Sequence, residues 1–110
     1  MHRPGCDPEN MTPEDFLCDF CAQHWREDRP FVEGHRGACI CGNCLTLAFC
    51  ADPAEIDEPG VCCTMCRRPI TGEPCWRSPA CEDAVICRKC IKQSAGVLHK
   101  DPDVPWCKPA

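Results

Sequence analysis

The chain has 110 residues, 44% of them hydrophobic, only 6% aromatic and none Tyr, with 17 acids against 12 bases for a formal charge of −5. This length allows one modest domain or two very small ones, and a unit of about 35 residues cannot bury enough apolar surface to fold without a staple. The net acidity disfavours a general nucleic-acid binder, and no stretch is apolar for long enough to span a membrane.

Residues 1–15 contain several charges and prolines but no apolar run of the kind that opens a secretory leader. Thr12-Pro13-Glu14-Asp15 combines a capping residue, proline at a first helical position and acids in the first turn, so a short helix is expected there. The rest of 1–15 reads as an N-terminal extension.

The staple is in the cysteines. Fifteen are present, and eight form four Cys-x2-Cys pairs: Cys18/Cys21, Cys41/Cys44, Cys63/Cys66 and Cys87/Cys90. Two sulfurs two residues apart close on one tetrahedral ion, and two pairs complete its shell. The gaps between successive pairs are 19, 18 and 20 residues, which does not say which pairs share an ion. Residue identity does. Pairs one and three place an apolar residue before the second sulfur (Phe20, Met65), whereas pairs two and four read Ile-Cys-x2-Cys-aliphatic (Ile40 to Leu45, Ile86 to Ile91). The first unit recurs 45 to 46 residues later, the mark of an internal duplication. Two zinc ions are therefore expected, one held by Cys18, Cys21, Cys41 and Cys44, the other by Cys63, Cys66, Cys87 and Cys90. The alternative is a cross-braced module in which pairs one and three share one ion and pairs two and four the other.

In the first unit, residues 16–50, a knuckle is followed by a hairpin or loop over 22–38, with Phe31 and Val32 as its apolar strand. A helix is expected from Cys41, with Leu45, Ala48 and Phe49 on one face and the first-turn N–H groups favouring the thiolates. Residues 51–60 carry four acids and read as a linker, in which Asp52-Pro53-Ala54-Glu55 repeats the capping signature. The second unit, 61–96, has Trp76, Val85 and Ile86 as strand material and a helix expected over residues 87–94. Residues 97–110, with three prolines, are expected to form an extended tail.

A knuckle, a small hairpin and a helix that supplies the last two ligands make a treble-clef zinc finger, so the fold expected is a metal-stabilised α+β chain of two tandem treble clefs. Cys18-Asp19-Phe20-Cys21, followed by residues 37–40 and Cys41-Gly42-Asn43-Cys44-Leu45-Thr46-Leu47, resembles the N-terminal zinc-binding domain of the ClpX chaperone. The likeness covers about residues 16–50 and, more weakly, 61–95. It implies structural zinc and a protein-binding module in which units pair; no phosphate-binding loop is present from which to carry over an ATPase. Two units on one chain are then expected to pair within the molecule, Leu45/Ala48/Phe49 against Ile91/Ala95, Val97 and Leu98, giving a monomer.

Seven cysteines are left over: Cys6, Cys39, Cys50, Cys62, Cys75, Cys81 and Cys107. They read mainly as small buried hydrophobes or unpaired thiols. Cys39 can replace Cys41 as a ligand and Cys62 can replace Cys63, and Cys75 and Cys81 can face each other across a hairpin. His24 and His35 read as loop histidines. Clustered Cys-x2-Cys pairs favour a reducing cytoplasm over a secreted disulfide scaffold. Four sulfurs close a shell that a catalytic zinc leaves open, so no enzyme is expected. The function expected is a protein–protein interaction or adaptor module. The alternative is a nucleic-acid-binding finger using the second unit, where residues 61–96 hold six bases against three acids.

Overall fold

A computed structural model of the chain describes residues 1–7, 9–52, 54–104 and 106–109. Short elements alternate with turns. In the first unit, strand β1 (Phe31–Glu33) pairs antiparallel with β2 (Cys39–Cys41), and helix α1 (Gly42–Cys50) follows directly. After β3 (Ala54–Glu55), the second unit pairs β4 (Pro74–Arg77) with β5 (Val85–Cys87) and continues into helix α2 (Arg88–Lys100). The result is a small α+β chain with two four-cysteine clusters.

The two units match in register. Phe31, Val32 and Glu33 face Cys41, Ile40 and Cys39; Cys75, Trp76 and Arg77 face Cys87, Ile86 and Val85. Each knuckle closes on the same two bonds, Cys18 N–H to Gln23 O and Ala22 N–H to Cys18 O in one, Cys63 N–H to Arg68 O and Arg67 N–H to Cys63 O in the other, all 2.8–3.0 Å. Ala22 and Arg67, at the same step of the turn, both lie at positive φ (61° and 62°). The residue after the first cysteine clamps knuckle to hairpin: Asp19 N–H donates to Cys39 O and its carboxylate accepts from Cys39 N–H, while Thr64 N–H and hydroxyl repeat this with Val85.

Four elements differ from the sequence reading. The Thr12 signal produces only a 3-10 turn, Pro13–Asp15, in which Asp15 Oδ2 accepts from Thr12 N–H at 2.9 Å. In the acidic segment Pro53 lies outside the described residues, and Ala54–Glu55 form a strand on β4 where a helix cap was expected. Arg77 binds Glu58 through both terminal nitrogens (2.9 and 3.0 Å), so the segment is fastened to the second unit. Helix α2 runs on to Lys100, because Ala95 and Leu98 extend its buried stripe past Gly96. The C-terminal segment also folds back: Trp106 is buried and its indole N–H donates to Gly42 O (3.1 Å) and Thr46 Oγ1 (3.0 Å) on α1.

The core lies where the units meet. Leu45 and Ala48 of α1 and Ile91, Ala95 and Leu98 of α2 are buried, with Phe49 half-buried at the edge. Val97, expected in this interface, is 58% exposed, as it falls on the opposite face of α2. The contacts are reciprocal. Each knuckle's penultimate residue receives the other unit's hairpin: Ser78 Oγ donates to Phe20 O, and Met65 O accepts from His35 N–H (2.7 Å) beside Gly34. Phe20 also stacks on Trp76, ring centroids 6.0 Å apart. Gly34 is required by proximity, since a Cβ there would lie 2.5 Å from Met65 O.

Candidate metal centres

The eight paired cysteines assemble in sequence order. The sulfurs of Cys18, Cys21, Cys41 and Cys44 all lie within 4.8 Å of one another, as do those of Cys63, Cys66, Cys87 and Cys90. The cross-braced alternative is not the arrangement adopted, because each hairpin returns its own strand end to its own knuckle. Cys21 Sγ lies 3.8 Å from Cys41 Sγ, and Cys66 Sγ 4.0 Å from Cys87 Sγ. A tetrahedron with metal–sulfur bonds of about 2.3 Å has edges of about 3.8 Å, close to these two separations.

Backbone dipoles converge on the sulfurs. Cys18 Sγ accepts from Phe20 N–H (3.4 Å) and Cys41 N–H (3.3 Å), and Cys63 Sγ accepts from Cys87 N–H at 3.4 Å. Cys41 caps α1, its sulfur accepting from Cys44 N–H at 3.5 Å, while Cys87 precedes the first residue of α2. Such donors stabilise thiolates and orient them before any ion arrives. In each quartet three cysteines are buried and one, Cys21 or Cys66, is half-buried.

Without a cation the four sulfurs of a quartet cannot all ionise. Hydrogen bonds from the Cys18 and Cys44 thiols hold Cys41 down to about 4, and in turn Cys18 and Cys41 push Cys44 far above the ordinary thiol value. In the second quartet burial raises Cys63, and burial with the nearby Cys63 raises Cys90. Burial works against ionisation of Cys66 too, yet the Arg68 N–H and the neighbouring thiols bring it down to about 7. One anion per quartet is stabilised at the others' expense; a dication removes the conflict and lets all four act as thiolates. Each quartet could hold one metal ion.

The remaining thiols are elsewhere. All fifteen cysteines are free, so no disulfide competes with the quartets. Cys39 lies outside its quartet because it faces Glu33 in the hairpin, and its sulfur donates to Gly37 O at 3.5 Å. Cys62 is exposed, one residue before the knuckle, with its sulfur toward Gly60 O. Cys75 faces Cys87 across the strands and donates to Ala54 O, and Cys81 lies in the hairpin loop, so these two do not face each other. Cys50 and Cys107 are exposed and Cys6 is partly so. His24 and His35 are exposed outside both quartets. The sequence reading passed over the clamp residues Asp19 and Thr64 and the bridging Ser78; a polar side chain directly after the first cysteine of each unit was the available signal.

Comparison with protein-family models, with curated proteins and with solved structures finds no match. Among the described residues, no helix is long and apolar enough to cross a membrane.

Proposed function

We propose that the chain is a structural zinc protein, two treble-clef units joined in tandem, that serves as an adaptor or protein-interaction module in a reducing, cytoplasmic setting. The observation that carries this reading is the pair of sulfur quartets, the sulfurs of each lying within 4.8 Å of one another. Cys18, Cys21, Cys41 and Cys44 hold one Zn2+, and Cys63, Cys66, Cys87 and Cys90 the other. All-sulfur shells suit zinc, a d10 ion without a geometric preference of its own, better than hard cations that seek oxygen. Four protein ligands leave no position for water or substrate, so the role is structural rather than catalytic. The order of knuckle, hairpin and helix supports the treble-clef assignment. The likeness of residues 16–50 to the ClpX zinc-binding domain points the same way and brings with it the expectation of protein capture.

Elemental analysis of protein purified under reducing conditions tests the metal: two zinc ions per chain are expected, one after Cys18→Ser or Cys63→Ser, and a metal-free folded chain would sink the reading. A specific observation bears on the nucleic-acid alternative. Two of the second unit's six bases are already committed, Arg68 to Glu73 (2.8 Å) and Arg77 to Glu58 (2.9 Å), which leaves Arg67, Arg88, Lys89 and Lys92 for phosphate. Binding to a protein that persists in high salt supports the adaptor role. Steeply salt-dependent binding to DNA or RNA would replace it with the alternative.

A further inference from the structure

The first unit carries a feature that neither quartet uses. Pro13, Phe16, Trp25, Phe31, Glu33 and Cys39 line a hollow of about 340 Å³. The three aromatic residues are half-buried, and among the described residues none of their rings stacks on another.

The walls are held in place. Pro13 opens the 3-10 turn fixed by the Thr12–Asp15 bond, and Asp15 is itself buried and paired with Arg3. Trp25 N–H donates to Phe16 O at 3.0 Å, and His2 stands edge-on against the Phe16 ring, centroids 5.4 Å apart. Phe31 and Glu33 are two residues apart on β1, which places both side chains on one face of the hairpin. Glu33, an exposed acid, therefore lines the hollow together with its aromatic residues.

The surroundings are acidic. Pro13 and Trp25 are shared with an adjoining hollow, where Glu14, Glu27 and Asp28 are exposed. The bases nearby are partly spoken for: Arg26 binds Asp28 at 3.0 Å, and Arg29 donates to His24 O at 2.6 Å. Phe31 also faces Cys41 across the hairpin, so a four-thiolate zinc centre of net charge −2 would stand behind this wall. Aromatic faces carry partial negative charge and attract cations, most strongly with a carboxylate at hand.

We infer that the Phe16/Trp25/Phe31/Glu33 hollow is the docking site for a basic side chain, arginine or lysine, presented by a protein partner. Its alkyl stem lies along Trp25 and Phe16 and its cationic head meets Glu33. This inference rests on the interaction-module reading and gives that module a chemical preference.

The test uses the full zinc-loaded chain and a short blocked peptide, acetyl-Gly-Arg-Gly-amide, with its citrulline counterpart as an uncharged isostere. In NMR titration the arginine peptide is expected to shift the Trp25 indole N–H and the Glu33 amide saturably, and to bind about tenfold more tightly than the citrulline peptide. Trp25→Ala should abolish the shifts. Should that variant unfold, Glu33→Gln, a change on an exposed strand position, should still weaken binding several-fold. Equal binding of the two peptides, or shifts spread over the acidic segment near Asp57 with Trp25 silent, overturns the inference. So does concentration-dependent self-association that Glu33→Gln removes, because a second copy of the chain would then be the occupant. A chain that binds two zinc ions and a protein partner through another face would lose this inference alone; a chain without zinc would lose the reading beneath it.

Discussion

The first and second units share the backbone bonds that close their knuckles and fasten them to their hairpins, and differ in much that lies farther out. The knuckle bonds, the positive-φ residue, the clamp from Asp19 or Thr64 and the strand register are the same in both. Yet α1 has nine residues and α2 thirteen, the position facing the third sulfur is Phe31 in one and Cys75 in the other, and the hairpin tip that reaches across is Gly34 in one and Ser78 in the other. The comparison separates what a four-sulfur centre demands of the backbone from what neighbouring surfaces are free to change. The shorter helix also needs help: Trp106 packs against the first turn of α1, where a Cβ on Gly42 would come within 3.0 Å of its ring.

Removing the ions should break the comparison altogether. A structural zinc site in small fingers is worth on the order of 10 kcal/mol, more than a core of this size can replace, so a chelator should collapse NMR dispersion in both units together. Acid should act in the same direction. Cys66, whose folded value is depressed from the ordinary 9.0 to about 7, contributes stability above its ordinary value that is lost as pH falls through about 7. Cys44 and Cys90, pushed upward, must give up protons when an ion binds. Proton release on zinc addition and zinc loss on acidification, followed with an indicator dye, would check this.

A single ligand substitution sharpens the question of whether the units are independent. Cys87→Ser should remove one ion and also loosen the first unit, because Phe20 rests on Trp76 and Ser78 of the second. Amide exchange that speeds up only within residues 61–96 would show that the units fold separately. Next in size is Trp106→Ala, expected to cost about 3 kcal/mol by cavity formation and to increase exchange in α1 more than in α2. The smallest effects concern the two hairpin tips. Gly34→Ala should destabilise by about 1–3 kcal/mol through the clash with Met65 O. Ser78→Ala should cost about 1–2 kcal/mol by leaving Phe20 O without its donor, and thermal melts of the two variants would rank them.

The quartets were legible in the sequence because their ligands are paired locally and repeated, so 45-residue periodicity stood in for three-dimensional knowledge. The resemblance to a family whose units pair led to the expectation that Leu45, Ala48, Ile91 and Ala95 share one interface, and all four are buried. What escaped the reading depends on contacts between distant segments. Trp106 meets Gly42 across 64 residues, a pairing that local propensity cannot anticipate. The helix expected over residues 87–94 continues to Lys100, because burial of Leu98 outweighs the roughly 1 kcal/mol that an interior glycine at Gly96 costs. Ala54 and Glu55 follow what looked like a cap and form a strand because β4 offers them an open edge. Cys75 and Cys81, for which facing across a hairpin was one alternative to unpaired thiols, do not face each other, because the pairing register gives Cys75 to Cys87.

The crossed hairpin tips have one more consequence. Two separate fingers would find each other only as often as their concentration allowed. Joined by a connector of some ten residues, the halves meet at an effective concentration in the millimolar range, so their embrace is expected to survive dilution to trace levels. A protease cut within residues 57–60 would convert that insensitivity into an ordinary bimolecular equilibrium.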